Sequence, residues 1–262
     1  MIVIKYGGHA IPEPGKHDPI IKVIADYFVR GNPLALVHGG GPQIDAELQL
    51  HGIAKVMISG YRQTTREVFE VVQKVLSGQV LRTLVNQFIS EGVNAVGISA
   101  ADGELIRAKK LEPIVNGQAT DIGFVGDIDS VNPKIINTLL ASGFLPIVSP
   151  IGVSATGLGF NMNADIAAGA IGGALLADEV IFMTDVAGIY RDFPNPDSII
   201  SNISASELKF LQPSFQEGMI PKVQAALYAL ESGAHQIRII DGRVTDNLVA
   251  AFAGHGGTVV TK

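Results

Sequence analysis

Two glycine-rich turns contain the residues best suited to bind an anion. Near the N-terminus, an apolar run leads into Lys5-Tyr6-Gly7-Gly8, and a second one leads into His38-Gly39-Gly40-Gly41-Pro42-Gln43-Ile44-Asp45. Backbone without Cβ atoms lets amide groups approach an anion closely, and the start of a following helix adds about half a positive charge. With Lys5 beside these amides, the pattern favours phosphoryl chemistry. Either turn taken alone is equally well explained as a tight turn.

The common nucleotide-binding and metal-binding motifs are missing from the sequence. It contains neither a G-x-x-x-x-G-K-[ST] phosphate loop nor a G-x-G-x-x-G motif after a strand. The six histidines form no H-x-x-x-H or H-E-x-x-H pattern, so we expect no protein-held metal. The absence of cysteine excludes a thiolate nucleophile and fits a reducing compartment. We expect His38 to pack under the glycine turn rather than to act as a base.

Polar residues precede a small-residue helix in the second half of the chain. The segment Asn161-Met162-Asn163-Ala164-Asp165 places two amides and a carboxylate at the predicted helix N-terminus. Asn163 is as well explained by helix capping as by ligand binding. Asp165 lies one step into the helix, where a carboxylate could hold lysine side chains over a phosphate.

Three further segments carry candidate ligand contacts. Thr184-Asp185-Val186-Ala187-Gly188-Ile189-Tyr190 ends an apolar run and is predicted to wrap a nucleotide, with an ordinary turn as the alternative. Lys222 lies in the first turn of a predicted helix, where a cation opposes the helix dipole by ~0.3–1 kcal/mol, so an anionic ligand explains it better. Arg62 is a candidate bidentate partner for a substrate carboxylate, with a surface salt bridge as the alternative.

The alternation of apolar runs and helical segments predicts the fold that must position these residues. It indicates an α/β fold, a three-layer α/β/α sandwich with a mainly parallel central sheet. Such sheets bind ligands at the carboxyl ends of their strands, where Lys5, His38 and Asp185 fall. The predicted strands cover residues 2–5, 34–37, 95–98, 145–149, 180–184 and 236–240.

Other segments predict how the chain is organised. Residues 65–89 show helical spacing around Gly78, either as one long helix or as a broken pair, and their apolar face belongs to the core or to a dimer contact. A hairpin is expected from residues 106–109 and 123–125. Residues 158–163 are expected to form a hinge between two lobes, 1–157 and 158–262.

Composition excludes several classes of partner. The 262-residue chain has a net charge of −6 with scattered lysine and arginine, so we expect neither nucleic-acid nor membrane binding. The longest apolar stretch covers about 12 residues, whereas a membrane span needs about 20. A predicted strand beginning at residue 2, with no leader before it, favours a cytoplasmic location.

Taken together, the motifs resemble the amino acid kinase family. The resemblance spans nearly the whole chain and is strongest to members that phosphorylate N-acetyl-L-glutamate. The motifs that carry it, in chain order, are Lys5 to Gly8, His38 to Asp45, Gly60 to Thr64, Gly123 to Gly126 with Val131-Asn132-Pro133, Asn161 to Asp165, Thr184 to Val186 and Gly218 to Lys222.

The resemblance implies ATP-dependent phosphorylation of the side-chain carboxylate of N-acetyl-L-glutamate in arginine biosynthesis. Mg²⁺ is expected to be held mainly by the ATP phosphates. The first lobe would bind the amino-acid substrate and dimerise, and the second would bind the nucleotide. The implied catalytic residues are Lys5, Lys222 and Asp165; the implied substrate contacts are Gly40, Gly41, Arg62 and Asn161; the implied nucleotide contacts are Gly7, Gly8, Thr184, Asp185, Val186, Gly188, Ile189 and Tyr190.

Some positions depart from the family pattern, namely His9, Gln63 and Glu217. Because the first predicted strand begins at residue 2, we expect the protein to lack the helical extension of arginine-inhibited hexameric relatives and to form a homodimer without arginine feedback. Two alternatives stay open. One is a kinase for carrier-protein-linked aminoadipate or glutamate, and the other is a non-catalytic domain that senses an amino acid.

Overall fold

A computed structural model describes residues 1–7, 17–215 and 219–262. Gly8, His9, Glu217 and Gly218 therefore lie outside the described residues. The strands are β1 Ile2–Tyr6, β2 Leu34–His38, β3 Met57–Ile58, β4 Tyr61–Arg62, β5 Ala95–Ser99, β6 Ile106–Lys110, β7 Ile114–Val115, β8 Gln118–Ala119, β9 Val125–Val131, β10 Leu145–Ser149, β11 Ile151–Val153, β12 Gly159–Met162, β13 Glu179–Thr184, β14 Ile189–Tyr190, β15 Ile199–Ile200, β16 Asn202–Ser204, β17 Gln236–Asp241 and β18 Thr258–Thr261.

The helices connect these strands. They are α1 Pro19–Val29, α2 Gly41–Leu50, α3 Arg66–Gln73, α4 Leu81–Ser90, α5 Lys134–Ala141, α6 Ala164–Ala174, α7 Ala205–Leu211, α8 Ile220–Glu231 and α9 Thr245–Phe252. A π-helical segment, Lys74–Val80, joins α3 to α4, and short 3₁₀ turns cover Asp102–Glu104, Pro196–Ser198 and Gln212–Ser214. Across the described ranges, no helix reaches the length and apolar character that a membrane span requires.

The central sheet has eight strands in the order β16-β18-β17-β13-β1-β2-β10-β5. Neighbouring strands run parallel except for the pair β17 and β18. The α/β fold with a mainly parallel sheet is thus confirmed, and the six predicted strands agree with the observed ones to within one residue at each end.

Helices cover both faces of this sheet because side chains along each strand alternate between the faces. In β1, Ile2 and Ile4 belong to the core beneath α1, α3, α4 and α9, whereas Val3 belongs to the opposite core beneath α6 and α8. Lys5 follows with the parity of Val3 and so lies on the α6 side. The alternation within one strand therefore decides which helix can supply a partner for Lys5.

A small closed barrel of β11, β12, β9 and β6 lies beside the central sheet. The predicted hairpin is present as the antiparallel pair β6 and β9, but its second strand is Val125–Val131, so the predicted range 123–125 is displaced toward the N-terminus. Residues 158–163, expected as a hinge, contain β12, which pairs with β9 and β11. The division into two lobes stays a prediction.

One continuous helical run covers residues 66–90. The sequence was compatible with either one long helix or a broken pair of helices. In the structure the helix continues through π-helical turns around Gly78. Val72, Val75, Leu76 and Leu84 are buried in the core against α1 and α2, so much of the apolar face is core. The buried Leu76 and Val80 approach the glycine turn that precedes α2.

Candidate active site

The carboxyl ends of β1, β2 and β13 meet at one edge of the central sheet. Lys5 in β1 is level with Val37 in β2 and with Phe182 in β13. His38, Thr184 and Asp185 follow within three residues of those positions, so the glycine turn and the predicted nucleotide loop flank Lys5 on either side. The parallel sheet thus brings together segments that are up to 180 residues apart in the sequence.

Lys5 pairs with Asp165 in the first turn of α6. Its Nζ atom lies 3.0 Å from Asp165 Oδ1, and the two side chains are only 12% and 23% exposed. Asp165 Oδ1 is buried and accepts no hydrogen bond from the residues described. The contact with Lys5 is therefore an ion pair without the geometry of a hydrogen bond. A Cβ atom on Gly7 would come within 2.9 Å of Lys5 Nζ, so Gly7 makes room for the lysine side chain.

Lys222 pairs with a different carboxylate. It lies in the first turn of α8, as predicted, and its Nζ atom is 3.3 Å from Asp185 Oδ1 just beyond β13. Burial raises the pKa of Asp185, but the Lys222 ammonium, a backbone hydrogen bond and the charge of Arg243 together lower that pKa below its usual value. The two predicted catalytic lysines, Lys5 in β1 and Lys222 in α8, are therefore each paired with an acidic residue.

The glycine turn after β2 is held on both sides. The Gly39 amide donates to Tyr6 O at 2.8 Å, and His38 Nδ1 lies 2.8 Å from Gly39 O. His38 is fully buried, and burial lowers its pKa to about 4, which confirms that it packs under the turn. A Cβ atom on Gly40 would lie 2.7 Å from Leu76 Cδ2, whereas one on Gly41 would meet nothing within 4 Å.

Helix α2 starts directly after this turn with its first amides available. Gly40 occupies the cap position without a side-chain hydrogen bond, and the first turn carries no acidic side chain. The amides of a first turn have no partner within their own helix. Together with open space at Gly41, this helix start can accept an anion, as the sequence predicts.

Arg62 and Asn161 approach each other through Thr64. Asn161 Nδ2 donates to Thr64 Oγ1 at 3.3 Å, and Thr64 Oγ1 donates to Arg62 O at 2.9 Å. Arg62 is only 11% exposed and pairs with Asp45 in α2, which excludes a solvent-exposed salt bridge. Its Nη1 atom is buried and bonds to none of the residues described. One side of the guanidinium is thus held while the other can take a carboxylate.

Asp45 links this guanidinium to α2 and to Lys55. Lys55 Nζ lies 2.9 Å from Asp45 Oδ2. Burial raises the pKa of Asp45, but the hydrogen bonds from Lys55 and Arg62 together lower it below its ordinary value. The sequence argument did not assign this role, although Asp45 stood in the glycine motif one helical turn after Gly41.

The segment from Thr184 to Tyr190 forms a turn between β13 and β14. The Thr184 hydroxyl bonds to both the amide and the carbonyl of Val186 at 3.1 Å. A Cβ atom on Gly188 would lie 2.5 Å from Thr258 Oγ1, and the Ile189 side chain is buried in the core. Gly188 and Ile189 therefore hold the turn in place, and their contact with a nucleotide stays a prediction.

Arg243 supports the same turn and was not found from the sequence. Its Nη2 atom donates to Asp185 O at 2.8 Å and to Asp241 Oδ2 at 2.7 Å. It thereby fixes the backbone that carries the partner of Lys222. Its position shortly after a strand does not single Arg243 out, because an arginine after a strand is common on protein surfaces.

The described part of the chain contains no group of three or more histidine, aspartate or glutamate side chains that could hold a metal ion. The acidic residues nearest the site, Asp165 and Asp185, are each paired with a lysine. The site is therefore built from cations and backbone amides, which is a donor set for anions.

Comparisons with known proteins show the family of this chain. The sequence model described as "Amino acid kinase family" matches residues 1–241. The chain belongs to the amino acid kinase family. Acetylglutamate kinase from Acidothermus cellulolyticus is 43% identical over 265 aligned residues, which cover 99% of this chain and 90% of that protein.

Solved structures share the fold. N-acetylglutamate synthase from Neisseria gonorrhoeae, complexed with coenzyme A and N-acetyl-glutamate, superposes with a TM-score of 0.83 at 24% identity, covering 100% of this chain and 59% of that chain. Carbamate kinase from Giardia lamblia bound to AMP-PNP gives a TM-score of 0.67 at 20% identity, covering 100% of this chain and 98% of that chain. At these identities the likeness establishes the fold.

Proposed function

We propose that this member of the amino acid kinase family uses ATP to phosphorylate the side-chain carboxylate of N-acetyl-L-glutamate, giving an acyl phosphate for arginine biosynthesis. The observation that carries the proposal is the part-buried Lys5–Asp165 pair beside the glycine turn at the end of β1 and β2. The identity with acetylglutamate kinases over nearly the whole chain supports the choice of substrate.

The chemistry needs little more than positioning and positive charge. A glutamate side chain has a reference pKa near 4.3, so the attacking carboxylate is ionised at neutral pH and needs no general base. Lys5 and Lys222 would stabilise the charge on the transferring phosphoryl group, and Asp165 would position Lys5. Asp185 would hold Lys222 before the nucleotide binds.

The substrate would be held at its other end by Arg62 and Asn161. Arg62 presents its buried Nη1 to the α-carboxylate while Asp45 holds Nη2. Planar guanidinium and carboxylate groups match well, and a charge-assisted hydrogen bond contributes about 1.5–3 kcal/mol. The amides of Gly40 and Gly41 would face the reacting carboxylate and the phosphate.

ATP would bind along the turn from Thr184 to Tyr190, beside Gly7 and Gly8. Mg²⁺ would come with the nucleotide and be held mainly by its phosphates. When bound, the ion neutralises phosphate charge and orients the phosphoryl group for in-line transfer. The protein contributes the lysines and amides that surround the same oxygens.

A non-catalytic sensor of amino acids is the second candidate, because the same fold occurs in a synthase structure. The paired lysines favour the kinase, since a sensor has no need for two cations beside the carboxyl ends of β1 and β13. A kinase for carrier-protein-linked aminoadipate or glutamate would use the same cations, so only the acceptor distinguishes it. The segment Gly41-Pro42-Gln43 favours the free acetylated substrate.

The test is a direct assay of acceptor use. The purified chain is incubated with MgATP and, separately, N-acetylglutamate, glutamate, aspartate, uridylate or a carrier-protein-linked glutamate. Acyl phosphate is trapped with hydroxylamine, and ADP is measured in parallel. We expect hydroxamate and ADP in equal amounts with N-acetylglutamate alone. No turnover with any acceptor, despite binding of N-acetylglutamate, would support the sensor instead.

We further propose that the enzyme is a cytoplasmic homodimer that binds neither nucleic acid nor membranes. Strand β5 is at the edge of the central sheet, and a cleft of about 560 Å³ beside it is lined by polar residues such as Arg66 and Gln73 together with Leu158, which is 40% exposed. A second copy on this face would cover the exposed Leu158 side chain. Light scattering should give twice the 27.5 kDa of one chain, and Leu158→Asp should shift the mass toward the monomer.

A further inference from the structure

His38 is placed to orient the backbone of the glycine turn. It is the last residue of β2 and is fully buried, with Nδ1 2.8 Å from the carbonyl oxygen of Gly39. A carbonyl oxygen only accepts hydrogen bonds, so Nδ1 must carry the proton of this contact. Nε2 then has a lone pair, and it bonds to none of the residues described.

The hydrogen bond from His38 to Gly39 O also fixes the direction of the next amide, the Gly40 N–H. A peptide group is planar and trans, so its C=O and N–H point in opposite directions. With Gly39 O held by the ring, the Gly40 N–H must point away from His38. The Gly39 amide is held independently by Tyr6 O at 2.8 Å, so the peptide between Gly39 and Gly40 has little freedom to rotate.

The glycine turn borders the space beside the Lys5 ammonium. The space above Gly7 is bordered by Lys5 Nζ, 2.9 Å from an ideal Cβ position, and by Gly39 N, 3.4 Å from the same position. Leu76 closes the side of Gly40 where a Cβ atom would lie. Within the described part of the chain, no acceptor takes the Gly40 N–H, and α2 begins at the next residue.

We propose that His38 is a positioning residue, which holds the Gly39–Gly40 peptide so that the Gly40 N–H donates to an oxygen of the transferring phosphoryl group beside Lys5. This inference rests on the proposed kinase function and assigns no proton transfer to the ring. Glycine alone would let the peptide flip, because its backbone is permissive. The ring restores the rigidity that the missing Cβ atoms remove.

Burial supports this assignment over acid–base catalysis. It lowers the pKa of His38 to about 4, so the ring stays neutral in the assay range and keeps its Nδ1 proton. A carboxylate nucleophile also needs no base. The ring therefore acts as a fixed donor to the backbone, much as a buried amide would.

Substitutions that imitate one ring nitrogen at a time test the proposal. The side-chain amide of Asn can reach where Nδ1 lies, whereas that of Gln extends toward Nε2 and Leu offers no donor. We expect His38→Asn to retain kcat within about threefold. His38→Gln and His38→Leu should lower kcat by about 10²-fold, the scale of one misplaced oxyanion donor, with KM for N-acetylglutamate changed by less than about threefold.

A second readout separates positioning from stability. Affinity for MgADP with aluminium fluoride and N-acetylglutamate, which imitates the transferring group, should fall in step with kcat. Affinity for MgADP alone should not change. His51→Leu is the matched control, because His51 is exposed and pairs with Glu47 on the surface, and its kcat should equal that of the wild type.

The outcomes distinguish the two proposals. A wild-type protein that forms no acyl phosphate overturns the kinase function itself. An active wild type, with folded Asn, Gln and Leu variants that share one kcat, overturns only the role of His38. Loss of thermal stability in all three variants with unchanged kcat in the folded fraction would also reject positioning, because packing alone would then explain the residue.

Discussion

Replacing Lys5 with methionine should slow phosphoryl transfer without preventing substrate binding. The lysine is 12% exposed, lies 3.0 Å from Asp165 and is fixed over Gly7, so it is a preorganised donor. Loss of one such donor costs about 10²–10³-fold in kcat, or about 2.7–4 kcal/mol of transition-state stabilisation. Methionine keeps the length and apolar stem of the side chain, so the loss is mainly that of the charge.

The same substitution should destabilise the fold through Asp165. The carboxylate would keep its charge in a mostly buried position after losing its cation, and a charge left without its partner in this way destabilises a fold. The double variant Lys5→Met with Asp165→Asn removes that charge as well. It should recover much of the stability yet stay as slow as Lys5→Met, which separates the two effects.

The assay combines steady-state kinetics with urea unfolding. Lys22→Met serves as the matched control, because Lys22 is exposed and pairs with Asp26 on the surface of α1. That control should keep wild-type kcat and lose less than about 0.5 kcal/mol. A folded Lys5→Met variant with kcat within threefold of the wild type would refute the assigned role of Lys5.

Three further outcomes follow from the glycine turn and from Asp45. Gly40→Ala should lower Tm because its Cβ atom would overlap Leu76, whereas Gly41→Ala should leave Tm unchanged and weaken substrate binding. Asp45→Asn should raise KM for N-acetylglutamate by about tenfold with kcat nearly unchanged, since Arg62 then loses its anchor but not its charge. Because the pKa of folded Asp45 is lowered, its ion pairs stabilise the fold above the unfolded pKa near 3.9, and this is lost as pH falls through the folded pKa. The Tm difference between the wild type and Asp45→Asn should thus be largest near pH 7 and vanish in strong acid. Kinetics at saturating ATP and thermal melts across pH measure all three.

Much of the site could be predicted because it depends on local sequence and strand parity. A β-strand followed by glycines places Lys5 at a sheet edge, and a carboxylate in the first turn of a later helix faces the same edge. The structure bears this out, since Lys5 and Asp165 form an ion pair. Lys222 likewise lies in the first turn of α8, as its spacing predicted.

Contacts that depend on the relative placement of distant elements could not be predicted. The ion pair of Lys222 with Asp185, with Nζ 3.3 Å from Oδ1, was not expected from the sequence, and the role of Asp165 toward Lys222 stays a prediction. The contacts of Arg62 with Asp45, and of Asn161 with Thr64, join β4, α2 and β12. From the sequence alone, each of these side chains could equally lie on the surface. Whether it lies on the surface or in the site depends on how the elements pack together.

The ion pairs of the two lysines also bear on how the site works. Each carboxylate offsets the positive charge of its lysine while no phosphate is bound. Asp165 is mostly buried and holds Lys5, whereas Asp185 is about half exposed and holds Lys222. The exposed pair is the easier one to break, because water can solvate the released carboxylate. An arriving triphosphate should therefore take Lys222 from Asp185, while Lys5 keeps its carboxylate and its position over Gly7. Lys5 thus defines where the phosphoryl group is held. Lys222, once released from Asp185, can stay in contact with the phosphoryl group as it moves from ATP to the acceptor.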